Sequence, residues 1–144
     1  MIAFPLRRQV ISRAGFSRKW LGRLMARILL AEDDESMRRF LAKALENAGH
    51  EVVSFGQGDE AHRCLKRDVF DILLTDIVMP EMDGIELARL AAELDPTLKI
   101  MFITGFAAVA LNPEVPAPAE AKVLSKPFHL RDLVAEVDRL MAAA

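Results

Sequence analysis

The 144-residue chain is long enough for one domain with some residues to spare. Hydrophobic residues make up 52% of it and charged residues 28%, a balance that fills a core and excludes a disordered chain. The single cysteine, Cys64, excludes an intramolecular disulfide framework and indicates a reducing compartment, so we expect a cytoplasmic protein. The longest purely apolar run, residues 106–111, is far shorter than a membrane span.

The net charge of −2 hides an uneven distribution along the chain. Residues 1–24 contain six basic residues and no acid, whereas the remainder holds 13 basic and 21 acidic residues. Because an acidic domain repels phosphates, this pattern disfavours direct binding of nucleic acid.

The basic leader, residues 1–24, has no convincing strand or helix pattern. A surface helix is an alternative, and its apolar face would be formed by Phe16, Trp20, Leu21 and Leu24. We favour the simpler interpretation that the leader is disordered or not native. Met25 is then the functional start, since it leads directly into a strand, and the domain is predicted to span residues 25–144.

From residue 27 onward the sequence alternates between strand and helix patterns five times. Short apolar runs indicate buried strands, and the second run is weaker, as is typical of an edge. The predicted strands are residues 28–31, 51–55, 70–75, 100–103 and 123–124. Apolar residues at helical spacing follow each strand. The predicted helices lie around residues 37–48, 61–65, 85–94, 106–111 and 130–141.

This alternation predicts an α/β fold with a doubly wound, five-stranded parallel sheet and helices on both faces. In such a sheet the ligand crevice lies beyond the carboxyl ends of the strands. Polar residues follow four of the five predicted strands: Glu32 and Asp33, Asp76, Thr104, and Ser125 with Lys126. Taken singly, each would be an ordinary turn or surface residue. Together they predict one site.

The chemistry of this set favours a magnesium ion. Two unit charges ~4 Å apart repel by about 4 kcal/mol at an effective dielectric near 20, and a divalent cation removes that cost. Carboxylates with a backbone carbonyl and waters suit Mg²⁺, whereas one cysteine and three scattered histidines give zinc no ligand set. With a lysine and a threonine hydroxyl beside the ion, the site would accept a tetrahedral anion. Asp76 is then the candidate nucleophile for a phosphoryl group.

These residues and their surroundings resemble the receiver domain of two-component response regulators. The matching pieces are Glu32-Asp33, the segment 71–84 that contains Asp76 and Asp83-Gly84, then Thr104, and Lys126-Pro127-Phe128. The resemblance covers about residues 26–142 and implies the flavodoxin-like fold of that family.

The resemblance also implies a role for each site residue. Asp76 would be the phosphoacceptor, and the donor would be a histidine kinase or a histidine phosphotransfer protein. Lys126 would pair with the phosphoryl oxygens, Thr104 would be the switch hydroxyl, and the Lys126-Pro127 bond would be cis. Four groups would hold Mg²⁺: the side chains of Glu32, Asp33 and Asp76 and the backbone carbonyl of Val78.

The expected output is a protein contact. The chain ends just after the fifth helix, so we expect a stand-alone receiver whose chemistry is limited to Mg²⁺-dependent self-phosphorylation and dephosphorylation. Residues 31–40 and 102–111 also resemble single-domain bacterial receivers, which would imply control of ClpXP-dependent proteolysis with ClpX as the partner.

Two departures from the family pattern bear on this output. Val123 stands where most receivers have an aromatic switch residue, so Phe106 is a candidate substitute. Prolines at positions 113, 116 and 118 should shorten the fourth helix and alter a face that many receivers use for output.

Two other interpretations stay open from the residues alone. Gly56 and Gly58 fit the G-x-G-x-x-A form of the dinucleotide-binding motif, but that reading leaves the acidic and basic strand-end residues without a role. A phosphatase of the haloacid dehalogenase type would also use Asp76 as nucleophile. It requires a second aspartate two residues later, where this chain has Val78.

Overall fold

The computed structural model describes residues 19–20, 23–105 and 121–143. A five-stranded parallel sheet forms the centre, and from one edge to the other its strands are residues 51–55, 27–31, 72–76, 99–104 and 122–125. Its strands are β3 (Arg27–Ala31), β4 (Glu51–Phe55), β5 (Ile72–Asp76), β6 (Lys99–Thr104) and β7 (Lys122–Ser125). The helices are α1 (Glu35–Asn47), α2 (Gly58–Arg67), α3 (Gly84–Leu94) and α4 (Leu130–Ala142).

The predicted α/β fold and the edge position of the second strand of the sheet are confirmed. The predicted fourth helix around residues 106–111, the prolines after it and the candidate switch residue Phe106 lie outside the described residues. No helix in residues 19–20, 23–105 or 121–143 is long and apolar enough to cross a membrane.

Part of the basic leader forms strands, which the sequence did not predict. β1 (Lys19–Trp20) and β2 (Arg23–Leu24) pair antiparallel ahead of the sheet. The alternative of a surface helix through Trp20 and Leu24 is therefore wrong. Strands of two residues are too short to show an alternating pattern, so the sequence carried no signal for them.

Alternate residues of each central strand enter two separate cores, one on each face of the sheet. Leu29, Leu73 and Phe102 pack with buried residues of α2 and α3. Ile28, Leu74 and Ile103 pack with buried residues of α1 and α4 on the opposite face. Because side chains alternate along a strand, strands covered on both faces appear in the sequence as continuous apolar runs.

Short polar side chains set the starts of two helices at the carboxyl end of the sheet. Asp34 Oδ1 accepts a hydrogen bond from Met37 N (2.9 Å) and caps α1. Asp83 Oδ1 accepts one from Glu86 N (2.9 Å) and caps α3. Both caps satisfy amide groups that the first helical turn leaves without partners. They fix the loops that follow β3 and β5.

At the opposite, amino end of the sheet, a cluster around Arg27 joins three segments of the chain. Arg27 is almost fully buried. Its backbone N donates to Asp71 Oδ2 (2.7 Å), Nε donates to Glu51 Oε2 (3.2 Å) and Nη1 donates to the Val69 carbonyl (2.7 Å). The guanidinium also lies 4.5 Å from the centre of the Phe70 ring.

Candidate functional site

Three carboxylates meet at the carboxyl end of the sheet, where β3 and β5 terminate. Ala31 of β3 is paired in register with Thr75 of β5, so the residues that follow each strand are neighbours. One carboxylate oxygen each from Glu32, Asp33 and Asp76 lies within 4.8 Å of the others. Glu32 is buried and Asp33 is exposed, so the cluster extends from the interior to the surface. The structure thus brings together the three acids that the sequence predicted.

Lys126 supplies the positive charge beside these acids. Its Nζ lies 3.5 Å from Asp76 Oδ2 and 3.7 Å from Glu32 Oε1. The Lys126-Pro127 bond is cis, as expected, and Lys126 N donates to the Thr104 carbonyl (2.8 Å). The backbone of β6 therefore anchors the lysine. One ammonium group faces three carboxylates, which leaves an excess of negative charge in the crevice.

The two oxygens of Asp76 have different surroundings. Oδ1 accepts a short hydrogen bond from Ile77 N (2.7 Å), whereas Oδ2 faces Lys126. Gly84 packs against the same backbone, and a Cβ at this position would lie 1.9 Å from the Asp76 carbonyl oxygen. Gly84 N donates to the Ile77 carbonyl (2.8 Å), which holds the start of α3 against the end of β5. Only glycine permits this approach.

The pKa of Glu32 is raised to about 7, mainly by burial and also by the negative charge of Asp76, against the lowering effects of the Asp34 amide and of Lys126. Oε2 of Glu32 accepts a hydrogen bond from Asp34 N (3.1 Å). Oε1 is buried and accepts no hydrogen bond within the described part of the chain. This oxygen has lost its hydration, and the Lys126 ammonium 3.7 Å away compensates it by charge but not by a hydrogen bond.

The donor set fits a hard divalent cation. Carboxylate oxygens are the ligands that Mg²⁺ prefers, and the exposed Asp33 leaves an open side for the water molecules that this ion retains. A cation here would offset both the excess negative charge and the unsatisfied oxygen of Glu32. The residues present therefore suit magnesium.

Thr104 and Val78 flank this cluster. Thr104 ends β6, is fully buried, and follows Ile103, the register partner of Asp76. Val78 lies two residues after Asp76, and its side chain is 55% exposed. Val123 of β7 is paired in register with Phe102, and its side chain is also exposed.

The two glycines of the dinucleotide-type motif have packing roles. A Cβ on Gly58, the first residue of α2, would lie 2.7 Å from the Met82 carbonyl oxygen. A Cβ on Gly56 would lie 2.9 Å from Nη1 of Arg38. Neighbouring protein atoms therefore occupy the space beside both glycines, and this accounts for them without a nucleotide.

Two residues that contact the site were absent from the sequence prediction. The Ile77 amide holds Asp76 Oδ1, and Arg38 Nη1 donates to the Glu32 carbonyl (2.7 Å). A backbone amide leaves no signal in the sequence. Arg38 could have been proposed from the sequence, because it is a basic residue about one turn into the helix that follows Glu32 and Asp33.

The comparison with protein families agrees with this geometry. A family described as the response regulator receiver domain matches residues 28–138, which is most of the chain. This chain belongs to the response regulator receiver family. The dinucleotide-binding and phosphatase alternatives are therefore set aside.

Individual relatives narrow this assignment. The receiver is 68% identical over 120 residues to the response regulator receiver protein CpdR of Brucella abortus (strain 2308), a match that covers 83% of this chain and all of that protein. It is 35% identical over 118 residues to the sensor kinase CckA of the same organism, where the match spans 81% of this chain and 12% of the kinase.

Solved receiver structures have the same fold. A response regulator receiver protein from Sinorhizobium medicae WSM419 matches with a TM-score of 0.74 and 32% identity, covering 86% of this chain and 98% of that one. The response regulator TrrA of Thermotoga maritima, in complex with Mg²⁺-BeF, matches with a TM-score of 0.69 and 27% identity, covering 79% and 97%. The doubly wound receiver architecture is therefore shared by chains that differ at most of their positions.

Proposed function

We propose that this receiver is a stand-alone, cytoplasmic signalling switch in which Asp76 accepts a phosphoryl group from a phosphohistidine donor. The observation that carries the proposal is the convergence of Glu32, Asp33 and Asp76 beside Lys126. Magnesium would be held by the three carboxylates and the Val78 carbonyl. When bound, this ion neutralises the charge that develops on the transferring phosphoryl oxygens.

The surroundings of Asp76 favour Oδ2 as the attacking oxygen. The Ile77 amide hydrogen bond fixes Oδ1, and this leaves Oδ2 directed towards Lys126. In the transfer, Oδ2 forms a bond to phosphorus while the bond between phosphorus and the donor's imidazole nitrogen breaks, and its electron pair stays on that nitrogen. The product is an acyl phosphate on Asp76.

Lys126 and Thr104 would respond to the phosphoryl group once it is attached. Lys126 Nζ lies 3.5 Å from Oδ2, so it can pair with phosphoryl oxygens after a small movement. Thr104, at the end of the neighbouring strand, would donate its hydroxyl hydrogen to one of them. Because Thr104 is fully buried beforehand, its engagement requires the end of β6 to move, and that movement would be the switch.

The partners follow from the same chemistry. Donors would be a histidine kinase or a histidine phosphotransfer protein, and the match to the sensor kinase CckA supports this class. We propose a protein contact as output, with the unfoldase ClpX as the partner to test. The identity to CpdR over that protein's full length supports a shared output.

The test of the phosphoacceptor is phosphate incorporation from acetyl phosphate or a phosphohistidine donor, followed by intact mass. We expect one phosphoryl group per chain with Mg²⁺ and none with Asp76→Ala. Asp59→Asn, which replaces an aspartate of α2 outside the carboxylate cluster, is the matched control and should label normally. Persistent labelling of Asp76→Ala would refute the assignment, and sustained turnover of a phosphomonoester would favour an enzyme instead.

The test of the output is binding of purified ClpX to the wild-type chain and to Asp76→Ala, each with and without phosphodonor. We expect phosphorylation to change binding by the wild type and to leave binding by Asp76→Ala unchanged. Equal binding in all four samples, or none, would refute a phosphorylation-dependent contact with ClpX.

A further inference from the structure

A hydrogen bond from α1 reaches back to the loop that carries two of the site's carboxylates. Arg38 lies in the second turn of α1, and its Nη1 donates to the Glu32 carbonyl at 2.7 Å. The side chain is half-buried. The distance is typical of a hydrogen bond with a charged donor, which is shorter and stronger than one between neutral groups.

The absence of a side chain at Gly56 leaves room for this guanidinium. Gly56 follows β4, and a Cβ built on it would lie 2.9 Å from Nη1 and 3.5 Å from Cζ of Arg38. Real Cβ atoms essentially never approach another heavy atom so closely, so alanine here would displace the end of the arginine. Glu32 N in turn donates to the Phe55 carbonyl (3.1 Å), which ties the same loop to the end of β4.

We propose that Arg38 is a positioning residue for the magnesium site, and that Gly56 provides the space its guanidinium needs. The inference rests on the proposed function, because it requires that Glu32 and Asp33 bind Mg²⁺. The Glu32 carbonyl belongs to the planar peptide that joins these two acids. Fixing that plane fixes the directions in which both side chains leave the backbone.

The direction in which Mg²⁺ affinity changes on removal of Arg38 distinguishes a positioning role from a purely electrostatic one. Removing a positive charge close to a cation site would by itself strengthen Mg²⁺ binding. If Arg38 acts by orienting the ligand loop, its removal weakens binding instead. Loss of a hydrogen bond that orients metal ligands commonly reduces metal affinity by about 10–100-fold.

The experiment is calorimetric titration of the full chain and its variants with MgCl₂, with urea unfolding of each variant alongside. We expect Arg38→Ala to lower Mg²⁺ affinity about tenfold or more, and Arg38→Lys, which can still donate one hydrogen bond, to recover most of it. Arg39→Ala is the matched control on the next position of α1. Arg39 is exposed and pairs only with Glu35 in the described residues, so its removal should leave the affinity unchanged.

Gly56→Ala supplies a second, independent variant. We expect it to weaken Mg²⁺ binding in the same direction by a smaller factor. The double variant should be no weaker than Arg38→Ala alone, because the added methyl group has nothing left to displace.

Unchanged or stronger Mg²⁺ binding by Arg38→Ala, even with lower stability, would overturn the inference. If Arg38→Ala does not fold, the Mg²⁺ affinity of Gly56→Ala is the test. A wild-type affinity in that variant would also overturn the inference. Failure of the wild type to bind Mg²⁺ would overturn the proposed function as well, so the two failures are distinguishable.

Discussion

The two ends of the sheet treat charged side chains differently. At the amino end, Arg27 is almost fully buried, and its backbone amide and guanidinium contact Asp71, Glu51 and the Val69 carbonyl. At the carboxyl end, three carboxylates face one lysine, and Glu32 Oε1 accepts no hydrogen bond from the described residues. The same strands therefore carry a satisfied charge cluster at one end and an unsatisfied one at the other.

This difference shows which end serves stability and which serves binding. Removing one partner from a buried charge cluster destabilises the fold strongly, because the other charge then stays buried without compensation. Acids gathered in excess of their counter-charges lower stability until a ligand binds them. We therefore expect substitutions at the amino end to change folding alone, and substitutions at the carboxyl end to change magnesium binding and phosphorylation.

The largest expected change in stability comes from the amino end. Replacing Arg27 by methionine keeps much of the packing against Phe70 but leaves the half-buried Glu51 without its partner. We expect the free energy of unfolding to fall by about 3–5 kcal/mol in urea titrations. Arg39→Ala, which removes an exposed pair, should change it by about 0.5 kcal/mol or less. A loss below ~1 kcal/mol for Arg27→Met would contradict the stabilising role of the amino end.

Replacing a buried acid at the carboxyl end should raise the free energy of unfolding instead of lowering it. The pKa of Glu32 in the folded protein is about 7, above its usual value of 4.5, so the folded state holds this proton more tightly than the unfolded state. Stability therefore falls as the pH rises from about 4.5 to 7. Without Mg²⁺ at pH 8, Glu32→Gln should be more stable than wild type by about 1–3 kcal/mol.

Urea unfolding across this pH range measures the effect of Glu32. The difference between Glu32→Gln and wild type should shrink as the pH falls and level off below pH 4.5, where Glu32 becomes protonated in both states. A variant less stable than wild type at pH 8 without Mg²⁺ would mean that the carboxylate is already satisfied within the protein.

Magnesium should stabilise the wild type through the carboxyl end. At ten times the Kd, binding to the folded state alone adds about 1.4 kcal/mol to the free energy of unfolding. Thermal melts with increasing MgCl₂ should show a rising Tm for wild type and for Arg39→Ala, and a much smaller rise for Asp33→Asn. An unchanged Tm together with no heat in calorimetry would contradict a magnesium site.

The smallest expected effect is that of the basic leader. Residues 19–20 and 23–24 pair with each other and precede β3, and they contribute no residue to the carboxylate cluster. We expect a chain starting at Met25 to incorporate phosphate at the wild-type rate. Loss of folding on truncation would show that the leader is an integral part of the domain.

The sequence allowed prediction of the features that follow from local pattern. Apolar runs located the strands, helical spacing located the helices of the described residues, and the rule of carboxyl strand ends brought Glu32, Asp76 and Lys126 together. The cap at Asp34 also followed from its position before an amphipathic stretch.

Contacts between distant segments could not be predicted in this way. Arg27 reaches partners that lie 24 to 44 positions away, and no local pattern around them indicates these contacts. The left-handed backbone of Glu81 (φ 69°), in the loop between β5 and α3, depends on how that loop closes and not on its residue type. Arg38 and Gly56 become a pair only because the start of α1 lies beside the end of β4. Such features depend on the assembled fold.

We expect the acids at the carboxyl end to bind Mg²⁺ and Asp76 Oδ2 to receive the phosphoryl group. A crystal structure of the wild-type chain with Mg²⁺ and beryllium fluoride tests both parts at once. We expect beryllium bonded to Asp76 Oδ2 and contacted by Lys126. Mg²⁺ should lie beside it, among the carboxylates of Glu32, Asp33 and Asp76 and the Val78 carbonyl. Beryllium bonded elsewhere, or Mg²⁺ absent from this cluster at saturating concentration, would contradict it.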